Sequence, residues 1–452
     1  MKQITDYQNK KVIVLGLGKS GVNAARLLNK LGALVTVNDA QDFDNNPDAQ
    51  ELLAEGVRVI TGGHPVSLLD EDFSLMVKNP GIPYSNVMVK RAQELKLPII
   101  TEPELAYQVS EGEWVGITGT NGKTTTTTLI GLMLNEGGVE AHVGGNIGIP
   151  LSQVAQEAGP GSKIVAELSS FQLLGIDHLR PHVAVLNNIY EAHLDYHGSR
   201  ANYIAAKMRI TMNQTPDDYF VVNWDKQEWR DLAQNVRAQV VPFSRTGVAG
   251  ARAVVDGDGW LCFDGERVVK ADTIKIPGAH NVENALAAMS VAKLYGVDNQ
   301  AIAHVLATFG GVKHRIQFVK ELHGRRIYND SKATNVEAAS VAIVAFKAPE
   351  VLIAGGLDRH LSMDALIPLL QKHVHALVTY GETAPLMVAV AQKAGVPDIK
   401  RVDNLDEAVP AAYALSNPGD VLLLSPAAAS WDQFHTFEER GDRFIADVDQ
   451  LG

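Results

Sequence analysis

Short apolar runs alternate with amphipathic stretches along the first hundred residues. KVIVLGL (from Lys11), LVTVND (from Leu34), VRVITG (from Val57), LMVKNP (from Leu75) and LPII (from Leu97) are runs of Val, Ile and Leu that predict buried parallel strands. VNAARLLNKLG (from Val22) has apolar residues three and four apart and predicts the helix between the first two. This β-α-β order predicts a doubly wound α/β sheet of the Rossmann-like kind. The pattern restarts at EWVGITGTNGKTT (from Glu113) and continues through KIVAELSS (from Lys163), VAVLNNI (from Val183) and YFVVNWD (from Tyr219). Between about 236 and 276 it changes to short runs broken by Gly-Asp turns, as in VVDGDGWLCFDGERVV, which predict a small antiparallel patch. A third α/β block begins near 312, with RRIYNDS, VLIAGG, ALVTYGE and DVLLLSP as its strands. The expected domains are 1–101, 102–311 and 312–452, all α/β.

Length agrees with that division, since 452 residues at roughly 150 per domain give about three domains. No apolar stretch approaches the ~18 residues of a membrane span, and MKQITDYQNKK lacks the apolar core of a secretory signal. The single cysteine, Cys262, cannot form an internal disulfide or a cysteine-based zinc site and fits a reducing, cytoplasmic compartment. The formal charge of −12 argues against a nucleic-acid partner, which needs a basic footprint. It leaves phosphate ligands open, because backbone amides and a few cations hold those. A monomeric enzyme without a membrane or nucleic-acid partner is expected.

Two glycine loops carry the candidate chemistry. Gly16-Leu-Gly18-Lys19-Ser20-Gly21 matches G-x-G-x-x-G between a strand and a helix, and Asp39 ends the next strand, where a ribose partner belongs. Alone, this motif fits a dinucleotide, a sugar linked to a diphosphate, or a tight turn that binds nothing. Gly119-Thr120-Asn121-Gly122-Lys123-Thr124 also lies between strand and helix. There Lys123 is placed for β- and γ-phosphates and the Thr124 hydroxyl for Mg²⁺. The strict Walker spacing is not met, because Ile117 stands where its first glycine would be. A glycine turn with a solvated lysine is the alternative; an ATP site is the reading preferred. Two phosphate loops in successive domains weaken a dehydrogenase reading and suggest a nucleotide-linked substrate joined to something else at the expense of ATP.

GTNGKTT (from Gly119), GGNIG (from Gly144), ELSSFQL (from Glu167), EAHLD around His193, the lysine of YIAAKMRI, GAHNVENALAA (from Gly278), HRIQ (from His314) and NDSKATN (from Asn329) together resemble the Mur ligases, ATP-dependent amide ligases of peptidoglycan precursor synthesis. NDSKATN and SPAAASWDQFHTFEERG are similar to the branch that adds D-glutamate to UDP-N-acetylmuramoyl-L-alanine, and the Asp-Asn-Pro-Arg type motif of diamino-acid adders is missing. The resemblance implies a UDP-binding N-terminal domain, a central ATPase-like domain and a C-terminal amino-acid-binding domain. It also implies an acyl phosphate made with ATP and captured by an amine.

The resemblance further implies residue roles. Thr124, Glu167, His193 and a carbamoylated Lys207 would hold Mg²⁺; the nucleotide would contact Gly119 to Thr125, Asn281, Asn284, Arg315 and Asp330. Asn146 would touch the muramoyl substrate or the transferred phosphoryl. Gly16, Gly18, Lys19, Ser20, Gly21, Asp39, Asn79 and Gly81 would take the UDP part. Lys332, Thr334, Arg359, Ser430 and Phe437 would take D-glutamate. Read without the family, Glu167 fits a helix-capping acid equally well, His193 a structural histidine, Lys207 an exposed helix lysine, Asn281 a helix cap and Arg315 a surface charge. Two departures stand out: Arg359 occupies the loop where some members have lysine, and Ala428 stands where others have cysteine, so the thiol is not chemically required.

Overall fold

The computed structural model describes residues 1–452, apart from the side chain of Asp195. Two compact units result: Met1–Ala271 with Glu283–Val305, and Asp272–Val282 with Leu306–Gly452.

The first unit contains two sheets. β1 (Lys11–Leu15), β2 (Leu34–Asn38), β3 (Arg58–Ile60), β4 (Leu75–Lys78) and β5 (Ile99–Ile100) form an all-parallel sheet in the order β3-β2-β1-β4-β5. Strand order reverses beside β1, which opens a crevice at its C-terminal end, where open α/β sheets take ligands. The second sheet comprises β6 (Glu113–Thr118), β7 (Ala141–Gly145), β8 (Lys163–Glu167), β9 (Val183–Leu186), β10 (Tyr219–Asn223), β11 (Gln239–Ser244), β12 (Ala253–Val255), β13 (Trp260–Phe263) and β14 (Glu266–Lys270). Its order is β14-β13-β12-β11-β10-β9-β6-β8-β7, parallel from β7 to β12. Only β12, β13 and β14 pair antiparallel, so the expected patch is an extension of the central sheet.

One apolar core joins both sheets, with Val12, Val14 and Leu28 in the same cluster as Trp114, Ile164 and Phe220. Glu104 reinforces the junction by accepting from the backbone N–H groups of Asp177, His178 and Leu179 at 2.9, 3.0 and 2.9 Å. Three donors at the start of an irregular stretch are thereby satisfied inside the protein.

The second unit is built on β15 (Gln317–Leu322), β16 (Arg325–Asn329), β17 (Glu350–Gly355), β18 (Val374–Tyr380), β19 (Asp398–Arg401) and β20 (Val421–Leu424), in the order β15-β16-β20-β17-β18-β19. All pairs are parallel except β15 with β16. Alternate residues of β17 enter two cores, Leu352 and Ala354 on one face and Val351 and Ile353 on the other. Glu350, which begins β17, is fully buried, and neither of its carboxylate oxygens has a hydrogen-bond partner. Burial pushes its carboxyl up to about 9.

The apolar pattern did not mark β7, β15 or β19. Each is a sheet edge, and β19 (DIKR) keeps most of its residues exposed, so it needs no continuous apolar run. Among the described residues no helix is long and apolar enough to cross a membrane.

Candidate active site

β6 runs into the second glycine loop and then the helix Lys123–Glu136. Gly122 adopts φ +78°, and a Cβ there would lie 2.1 Å from Asn284 Oδ1, so this turn accepts only glycine. The loop is held from β9's continuation. Asn188 accepts from the backbone N–H groups of Thr120 (carbonyl, 3.0 Å) and Asn121 (Oδ1, 2.9 Å), and Thr120 Oγ1 lies 2.9 Å from Tyr203 Oη. Thr126 Oγ1 donates to Asn284 Oδ1 at 3.3 Å and accepts from Asn187 Nδ2 at 2.8 Å. A rigid glycine turn therefore presents the first N–H groups of a fourteen-residue helix, the arrangement that binds phosphate. Thr124 is buried in that first turn.

Five predicted residues converge beside it. Lys123 Nζ and Lys207 Nζ both donate to the Gly119 carbonyl, at 3.0 and 2.7 Å. Lys207 is 2% exposed, which rules out the exposed helix lysine. Its amine is held well below the usual lysine range, first by burial and then by Lys123, with Glu167 opposing. Glu167 ends β8; its Oε1 accepts from Asn146 Nδ2 at 2.9 Å, while its Oε2 is buried without a partner. Glu167 is not a helix cap, because Ser169 and Gln172 form a capping box on the next helix, Ser170–Leu173. His193 is exposed at φ +55° and joins this region through aromatic contacts, its ring 5.0 Å from Phe171 and 6.3 Å from Tyr203. Tyr203 in turn lies under the Lys207 ammonium at 4.7 Å.

The first glycine loop is also shaped from several sides. Gly16 has φ +92°, and a Cβ on Gly21 would lie 1.9 Å from the Gly16 carbonyl, so the helix Lys19–Lys30 packs directly on the turn. Asp39 accepts from Leu17 N–H (2.7 Å) through Oδ2 and from Gln41 N–H (2.8 Å) through Oδ1, and so shapes the loop. Asn79 covers the glycines: a Cβ on Gly18 would sit 2.6 Å from its Nδ2. Gly81 N–H donates to Asn79 Oδ1 at 3.1 Å. Lys19 is exposed and Ser20 half-buried.

In the second unit Asp330 is buried, accepts from Ser425 Oγ (2.8 Å) and Ile316 N–H (3.1 Å), and is pushed up to about 7 by burial. Arg315 is exposed but close enough to Asp330 to oppose that rise. Asn281 lies inside the helix Ala279–Leu294 and donates to the Pro277 carbonyl at 2.6 Å, so it is not the cap. Lys332 Nζ stands 3.8 Å over the Phe437 ring, and Thr334 N–H donates to the Lys332 carbonyl. Ser430 Oγ is buried without a partner, whereas Arg359 is exposed and stacks 5.4 Å from Trp431. Sequence reasoning missed Arg440. Fully buried, it donates to the Ser331 carbonyl (2.8 Å), Ser331 Oγ (3.0 Å) and the Ala428 carbonyl (3.1 Å), tying together the loops that carry Lys332 and Ser430. A signal was available: Gly441 lies inside the helix Phe437–Asp449, and a Cβ there would meet His314 Nδ1 at 2.1 Å.

Residues 10–101 match the Mur ligase MurD-like N-terminal domain, 117–292 the Mur ligase middle domain, and 314–428 the Mur ligase glutamate ligase domain. A Lacticaseibacillus paracasei protein named UDP-N-acetylmuramoylalanine--D-glutamate ligase is 68% identical over 452 residues, spanning 100% of this chain and 98% of the relative. The chain belongs to the Mur ligase family. A Latilactobacillus sakei subsp. sakei relative of the same name is 60% identical over 100% of both chains. Among solved structures, the Mur ligase UDP-N-acetylmuramate-alanine ligase of Thermotoga maritima superposes with a TM-score of 0.61 at 18% identity, covering 98% of this chain and 100% of that one, which shows a shared fold.

The groups a Mur ligase needs for a magnesium nucleotide fit this site. The partnerless Glu167 Oε2 is an acceptor that a cation satisfies, and the helix N-terminus offers donors to phosphate. Among the described residues no cluster of three or more His, Cys, Asp or Glu side chains could hold a metal. A sparse protein ligand set suits Mg²⁺, which keeps waters and takes substrate phosphate oxygens.

Proposed function

We propose that this chain joins D-glutamate to UDP-N-acetylmuramoyl-L-alanine with conversion of ATP to ADP and phosphate. Identity of 68% across the whole chain to a relative bearing that name carries the reading. The central site supplies a chemical rationale. In this reading residues 1–101 bind the UDP substrate, 102–311 bind ATP, and 312–452 bind D-glutamate.

The difficulty of the reaction is electrostatic, because a phosphoryl group and a carboxylate must meet. At an effective dielectric of 20, like charges ~4 Å apart repel by about 4 kcal/mol. When bound, ATP with Mg²⁺ would supply charge neutralisation and the γ-phosphoryl group that activates the carboxylate as an acyl phosphate, from whose acyl carbon the D-glutamate amine would displace phosphate. Thr124, Glu167, His193 and Lys207 hold the metal in this scheme. The N–H groups of Gly122 to Thr125 and the Lys123 ammonium bind the phosphates. Asn146, oriented by Glu167, addresses the transferring end. Asn281, Asn284, Arg315 and Asp330 bind the rest of the nucleotide. Lys332, Thr334, Arg359, Ser430 and Phe437 bind D-glutamate, and Gly16 to Gly21, Asp39, Asn79 and Gly81 the UDP part.

Burial, and after it the Lys123 ammonium that shares the Gly119 carbonyl, hold the Lys207 amine well below the usual lysine range, which favours its neutral form. A neutral Lys207 amine adds to CO₂, forming an N–C bond and releasing one proton. The resulting carbamate is an anion beside Lys123, suited to a cation's coordination shell.

Phosphate release is the direct test. Release that requires UDP-N-acetylmuramoyl-L-alanine, ATP and D-glutamate together, and that Lys123→Ala abolishes, supports the reading. Preference for another amino acid, or turnover without the UDP substrate, refutes it.

A further inference from the structure

Lys78, the last residue of β4, is fully buried yet has no role in the scheme above. Its ammonium donates to three carbonyls of the segment that follows: Asn79 at 3.1 Å, Pro80 at 3.3 Å and Ile82 at 2.7 Å. Tyr196 Oη approaches the same place, 3.4 Å from Nζ, and lies 3.2 Å from the Pro80 carbonyl and 3.1 Å from that of Ile82. Tyr84 closes the cage, its ring 5.0 Å from Nζ. Among the described residues no carboxylate pairs with this ammonium, and burial lowers it to about 8. The carbonyl dipoles stand in for a counter-ion.

The consequence follows from peptide geometry. A carbonyl turned toward Lys78 turns the following N–H away. Pro80 and Pro83 have no N–H, so the one donor set by this arrangement is Gly81's, and it donates to Asn79 Oδ1 at 3.1 Å. With Oδ1 engaged, Asn79 turns Nδ2 toward the first glycine loop, where it comes so close that Gly18 has no room for a side chain. Tyr196 comes from the short helix Leu194–His197, whose N-cap is His193.

We propose that Lys78 and Tyr196 are a positioning pair for the UDP substrate: a buried ammonium and a phenol that hold the Asn79–Ile82 loop so that Asn79 presents its amide N–H₂ over Gly16 to Gly21. This rests on the assignment of that loop to the UDP part.

The test is calorimetric binding of UDP-N-acetylmuramoyl-L-alanine to the full-length protein, with KM measured for all three substrates. Lys78→Met weakens that binding by about tenfold or more, and Tyr196→Phe, which keeps the ring and removes one O–H, by about threefold. KM for ATP and D-glutamate stays within about twofold of the unaltered protein in both variants, a split that general loosening of the fold does not produce. If the unaltered protein does not bind the UDP substrate, the functional assignment itself fails. Unchanged binding in both variants, or an equal rise in all three KM values, overturns the positioning role alone. Should Lys78→Met not fold, Tyr196→Phe decides by the same criteria.

Discussion

Glu350 offers a test of how burial is tolerated in the second unit. Its side chain is fully buried, lacks a hydrogen-bond partner and titrates at about 9, against 4.5 when solvated. A carboxyl whose folded pKa is raised binds more protons folded than unfolded, so stability falls as pH rises from the unfolded value to the folded one. Below about 4.5 the group costs nothing through ionisation. Each pH unit above that costs about 1.4 kcal/mol, hence about 3 kcal/mol at pH 7, and the loss is complete near pH 9. Glu350→Gln keeps the shape and removes the titration. Its β17 amides are therefore protected against hydrogen exchange more strongly than those of the unaltered protein, and the ratio of protection grows about tenfold per pH unit between pH 5.5 and 7.5. A ratio that stays flat with pH, or a variant less stable at pH 7, would show that Glu350 is solvated or paired and that the burial argument is wrong.

Three further outcomes bear on the proposed active site. Lys207→Arg, permanently cationic and unable to form a carbamate, lowers kcat by roughly a hundredfold or more; full activity of the unaltered protein in CO₂-depleted buffer, with unmodified amine in a crystal map, would remove the carbamate. Gly122→Ala places a Cβ against Asn284 Oδ1 and costs ~1–2 kcal/mol in left-handed strain alone, so KM for ATP rises about tenfold or more; an unchanged KM refutes the loop assignment. Asp330 titrates near 7, so its carboxylate becomes a better acceptor above that pH, and ATP affinity rises across pH 6 to 8. In Asp330→Asn that rise disappears, and its persistence would assign it to another group.

Much of this protein is legible from local pattern. The strand–glycine–helix signature at Gly16 and at Gly119 is written in consecutive residues, because strand period, turn conformation and helix start are all local constraints. The buried parallel strands announce themselves as apolar runs for the same reason. Edge strands do not, since half or more of β19 faces water and the identity of its neighbour is not encoded nearby.

What escaped one-dimensional reading is the state of the polar side chains. Lys207 and Lys78 look like ordinary helix and strand-end lysines in sequence, yet each is buried against backbone carbonyls, Lys207 against Gly119, 88 positions away. Arg440 collects its acceptors from Ser331, 109 positions earlier, as well as from Ala428, and Asp39 serves the backbone of Leu17. Desolvation and hydrogen-bond satisfaction depend on which atoms from distant segments surround a group, and spacing along the chain carries no record of them. Fold class and the two glycine loops thus belong to the amino-acid order, while burial, hydrogen-bond partners and side-chain orientation arise only once the sheets have assembled.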